Sequence, residues 1–126
     1  MRTILAALIL SACARYAPFT PTTVSAPADP FNKSVRVLVQ RGETIETKDE
    51  GAGVIVTGWR EGTQMGGTHR LRWTITVASG TVTVASQCEQ KIDDPGPGQA
   101  NDWANCGNQP GDRTGMGKAI ADEIAR

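Results

Sequence analysis

Few side chains in this 126-residue chain could do chemistry, and their spacing narrows what that chemistry could be. His69 is the only histidine, so any Ser-His-Asp or Cys-His arrangement must pass through it. It opens a strand-like stretch beside Arg70 with no nucleophile positioned against it, and it reads as a surface residue. The carboxylate pairs Asp49-Glu50, Asp93-Asp94 and Asp122-Glu123 are sequence neighbours, which in turns or on helices do not face each other across a cleft. Asp93, Asp94, Asn101 and Asp102 could give oxygens to calcium, but they lack the D-x-[DN]-x-[DN]-G order of a calcium loop. The segment 111–118, GDRTGMGK, has the glycines and lysine of a phosphate loop. It has one residue too many between Gly111 and Gly117, and Ala119 stands where a magnesium-holding hydroxyl is required. The expectation is a non-enzyme with no catalytic residue, cofactor or metal site.

Aromatic side chains are the remaining candidates for binding. Trp73 alternates with Leu71, Ile75 and Val77 and is assigned to the core, whereas Trp59 and Trp103 are free to form a binding surface. Arg70 and Arg72 form the only local basic cluster, at alternate positions of a strand, and read as a solvated face. With 13 basic and 13 acidic side chains, the chain has no electrostatic footprint for nucleic acid.

The N-terminus carries the most specific signal. Arg2 precedes an apolar run from Ile4 to Leu10, and Leu10-Ser11-Ala12-Cys13 follows, with small residues before a cysteine. These residues resemble the signal of bacterial lipoproteins, in which the cysteine is acylated and becomes the mature N-terminus. The resemblance implies a signal peptide at 1–12, lipidation of Cys13, a membrane partner through that lipid and a place in the cell envelope. The run is far shorter than the roughly 20 apolar residues of a membrane span, so anchoring is expected, not spanning. Acyl chains supply about 0.8 kcal/mol per buried methylene. In a cell with two membranes, Ala14 after the cysteine implies the outer membrane, facing the periplasm. Once Cys13 is assigned to lipid, Cys88 and Cys106 remain as an even pair in an oxidising compartment and are expected to form a disulfide.

These residues must be held by a small fold. Residues 13–28 are rich in Pro, Thr and Ala and predict a flexible tether, extended at roughly 3 Å per residue. Asp29-Pro30 begins a helix with Phe31, Val35, Leu38 and Val39 on one stripe, stopped by Gly42, while the alternation of Val35, Val37 and Val39 leaves a strand as the alternative. Segments 43–48 and 54–59 form a hairpin around Gly51-Ala52-Gly53, and 60–68 reads as a surface loop. Segments 70–77 and 82–88 form a second hairpin around Ser79-Gly80, and 89–111 is a long loop without periodicity. Asp112 or Thr114 caps a last helix with Met116, Ala119, Ile120 and Ile124 on one stripe.

The expected architecture of 29–126 is one α+β domain: a two-layer sandwich with a four-stranded antiparallel sheet, an N-terminal and a C-terminal helix on one face, and one disulfide. The order, with Gly42, Ile45, Asp49, Gly53, Ile55 and Thr57 after the first helix, resembles small domains of accessory lipoproteins of the outer-membrane β-barrel assembly machinery over residues 31–86. That resemblance implies an accessory or scaffolding role toward another envelope protein. The alternative is a small-ligand or calcium-binding module using the 89–111 loop.

Overall fold

The strongest alternation in the sequence builds the centre of the sheet. In the computed structural model, which describes residues 21–64, 67–92, 102–106 and 115–126, β5 (Gly67–Ala78) and β6 (Thr81–Lys91) form a long antiparallel hairpin. Its register runs from Ala78 opposite Thr81 to His69 opposite Gln90. Ser79 and Gly80 both have positive φ, as a type I′ turn requires. Trp73 and Ile75 therefore share a face with Val82, Val84, Ser86 and Cys88, and all six are buried. The opposite face carries Arg70, Arg72, Thr74 and Thr76 against Glu89, Gln87, Ala85 and Thr83.

β2 (Ile45–Asp49) and β3 (Val54–Thr57) form the expected first hairpin, and β3 lies on β5. The sheet is wider than the four strands expected, with seven among the described residues, all paired antiparallel. β4 (Arg60–Gln64) continues along β5 where a surface loop was predicted, because the glycine-rich segment can complete a ladder that β5 already offers. β1 (Thr22–Ser25) lies within the stretch read as tether and pairs with β6. Its β-branched residues suit a pleated edge: Val24 stands opposite Val82, and the hydroxyls of Thr23 and Thr83 are 3.1 Å apart. The folded domain thus begins before Asp29. The signal peptide 1–12, Cys13 and tether residues 14–20 lie outside the described residues. β7 (Trp103–Asn105) adds to β6 from the segment read as a loop, where Glu89–Lys91 already extend β6.

The helix alternative holds at 30–40. α1 (Pro30–Gln40) starts with proline in its first turn and ends in a Schellman motif: Gly42 (φ 83) donates to the Val39 carbonyl and Glu43 to the Leu38 carbonyl. Its buried stripe is Phe31, Ser34, Val37 and Leu38, while Val39, expected inside, is 56% exposed. Ser34 is satisfied by donating to the Pro30 carbonyl at 2.7 Å. α2 (Met116–Ala125) follows Gly115 and buries Gly117, Ile120, Ala121 and Ile124, leaving Met116 and Ala119 exposed instead of in the stripe. The proposed caps Asp112 and Thr114 lie outside the described residues. Both helices pack on the face of Ile55, Trp73, Ile75, Val82 and Val84, which makes two layers. Arg41 pairs with Glu123 at 2.8 Å, and Lys33 donates to the Arg126 carbonyl at 2.6 Å, linking the helices.

The β2–β3 turn depends on one backbone conformation. Gly53 has φ 70, its carbonyl accepts from the Val77 amide at 2.7 Å, and a Cβ there would overlap the Val77 carbonyl oxygen. Gly80 also has positive φ but has open space around it. Gly53→Ala is expected to destabilise the domain by about 2–3 kcal/mol and Gly80→Ala by about 1 kcal/mol, read as the difference in midpoint on denaturant unfolding.

Candidate functional site

One irregularity in the ladder decides which side chains reach which face. β3 pairs with β5 up to Val56 opposite Thr74, and β4 resumes with Arg60 opposite Leu71. Thr57, Gly58 and Trp59 thus stand against Arg72 and Trp73 alone, a β-bulge. The Trp73 amide donates to the Thr57 hydroxyl at 2.8 Å, both groups being buried. Beyond the bulge the alternation is inverted. Arg60 joins the helix-side face with Leu71, and Trp59 turns to the outer face.

There Trp59 meets the two arginines. The guanidinium carbons of Arg70 and Arg72 each lie 4.4 Å from the Trp59 ring centroid, and that of Arg70 lies 4.2 Å from the Trp103 centroid. Arg70 is held between two indoles, and it donates from Nε and Nη2 to Glu89 Oε1 at 3.0 and 2.6 Å. Arg72 donates to Gln87 Oε1 at 2.8 Å. Each cation–π contact contributes about 0.5–1 kcal/mol at a partly exposed site. Together they fix the aromatic rings against the sheet.

Trp103 is brought there by the cysteines. Cys88, on the buried face of β6, is disulfide-bonded to Cys106, with Cα atoms 5.3 Å apart. The Cys106 amide donates to the Cys88 carbonyl at 3.1 Å and the Ile92 amide to the Asp102 carbonyl at 2.7 Å, so β7 is clamped at both ends. Trp103 opposite Lys91 then falls on the outer face, diagonal to Arg70.

The two tryptophans singled out in the sequence are therefore neighbours across Arg70, and Arg70 and Arg72, read as solvated, are half-buried in the cluster. Asp102 is exposed, while Asp93, Asp94 and Asn101 lie outside the described residues. Among the described residues no three His, Cys, Asp or Glu side chains come together to hold a metal, and no helix is long and apolar enough to cross a membrane.

The helix-side face carries a cleft that the sequence did not reveal. Leu71 and Trp73 form its floor, Glu43, Arg60 and His69 its walls, and Met116 overhangs it, enclosing about 270 Å³. The Schellman motif turns Glu43 inward, where its side chain is 3% exposed and Oε1 accepts from Arg60 at 2.9 Å. His69 Nδ1 lies 3.0 Å from the Gly67 carbonyl oxygen, which only accepts, so Nδ1 carries a proton. Gly117 lets α2 approach closely: a Cβ there would lie 3.2 Å from the Trp73 ring. Only the position of Glu43, just after the helix-stopping Gly42, offered a sequence signal for this cleft.

No protein-family model matches the chain, and no curated protein matches it.

Replacing both Cys88 and Cys106 by alanine is expected to destabilise the domain by about 3 kcal/mol in the loop-closure model. Hydrogen exchange should show protection lost first in β7 while the β5–β6 hairpin keeps its own. Equal protection of β7 with and without the bridge would show that backbone pairing alone holds Trp103.

Proposed function

We propose that this chain is a non-enzymatic envelope lipoprotein, anchored by lipid on Cys13, whose domain binds or scaffolds another envelope protein through the outer face of its sheet. The observation that carries the binding half is that this face, opposite both helices, holds Trp59 and Trp103 fixed around Arg70. Tryptophan and arginine dominate the energetics of protein interfaces. Their mutual stacking means little side-chain freedom remains to be lost on association.

The anchoring half rests on Arg2, the apolar run and Leu10-Ser11-Ala12-Cys13. The Cys88–Cys106 bridge supports an oxidising compartment. In a cell with two membranes the reading places the domain on the periplasmic side of the outer membrane.

Photo-crosslinking in whole cells tests both halves. A photoreactive residue at Thr76, exposed on the outer face, should give one adduct of defined mass, and one at Arg36, exposed on α1, should give none. The Thr76 adduct should disappear with Trp59→Ala plus Trp103→Ala, and with Cys13→Ser, which releases the domain from the membrane. Adducts of equal yield from both faces, or a Thr76 adduct indifferent to the tryptophans, would overturn the reading.

A further inference from the structure

The cleft on the helix-side face has a chemistry of its own. Glu43 Oε1 is taken by Arg60, but Oε2 is buried and has no hydrogen-bond partner among the described residues. A buried carboxylate oxygen left unpaired costs about 1–3 kcal/mol or more, so the site is set to accept a donor. The pairing to Arg60 does not close it, because the Arg60 side chain is 59% exposed and can swing into water. Glu43 supplies the carboxylate of the cleft, the register setting Glu61 opposite Arg70 on the outer face, and a carboxylate oxygen favours a cationic donor over a neutral one. With Nδ1 bonded to the Gly67 carbonyl, Nε2 is the His69 ring atom left for a second polar contact. The rest of the lining is apolar or aromatic: Leu71, Trp73 and the Met116 thioether, which stands 39% exposed at the mouth.

We infer that this cleft binds a small primary amine with an apolar body, its ammonium completing the Glu43 carboxylate and its body lying on Leu71 and Trp73 beneath Met116. A volume of about 270 Å³ accommodates one ring and a short amine arm.

Benzylamine, benzyl alcohol and toluene share one ring and differ in the donor they carry, and they make the test. Each is titrated into the purified chain while the Trp73 indole and Met116 methyl resonances are followed. Benzylamine is expected to shift both saturably at about millimolar concentration, as suits so small a ligand. Benzyl alcohol should bind about tenfold more weakly and toluene more weakly still. Glu43→Gln should weaken benzylamine about tenfold. Met116→Lys, at an exposed position that leaves the core intact, should do the same by placing a positive charge at the mouth, and it decides the matter if the Glu43 variant does not fold. No saturable shift with benzylamine, equal binding of toluene, shifts centred on Trp59 and Trp103, or full binding by the Met116 variant would each overturn the proposal.

Discussion

The hydrogen bond from the Trp73 amide to the Thr57 hydroxyl closes the gap where β3 gives way to β4. Without it a buried N–H would lack a partner, at a cost of about 1–3 kcal/mol. With it the strand can carry one extra residue and still lie flat on β5. That residue inverts the alternation. A regular ladder would turn Trp59 toward the helices and Arg60 outward. The bulge gives Arg60 to Glu43 and Trp59 to Arg70 and Arg72, so both the inner cleft and the outer cluster follow from one local departure.

The disulfide does for β7 what the bulge does for β4. The residues of β7 bury little: Trp103 is half-buried and Ala104 and Asn105 are exposed, so burial alone gives that strand little hold. Cys88 sits in the packed face of β6, and bonding Cys106 to it hangs β7 from the core. Trp103 gains its place beside Arg70 as a result. The far edge is treated differently. β2 reads Ile-Glu-Thr-Lys-Asp, is exposed beyond Ile45 and shifts register between Ile45 and Thr47, the charged and irregular edge that resists pairing with other chains.

Much of the α+β frame was legible because its signals are periodic. Leu71, Trp73, Ile75 and Val77 announced β5, and Asp29-Pro30 with Gly42 announced α1 against a competing valine alternation. The added strands carry no such signal. Thr22–Ser25 sits among prolines, and only the open side of β6 makes a strand of it; Arg60–Gln64 is polar and is recruited by the length of β5. The helical spacing overstates the stripes, since Val39, Met116 and Ala119 fit it yet face solvent. Trp59 and Trp103 could be named as candidates but not brought together, since their meeting depends on a bulge and on a cross-link 18 residues long in sequence.

The most direct test is nuclear Overhauser contact from the Trp59 ring. Inversion of the ladder at Thr57–Trp59 predicts strong cross-peaks from the Trp59 ring protons to the side-chain methylenes of Arg70 and Arg72, and none to Leu71 or Met116. Cross-peaks from Trp59 to Leu71, Trp73 or Met116, with none to the arginines, would mean an unbroken alternation and would contradict the account of both faces.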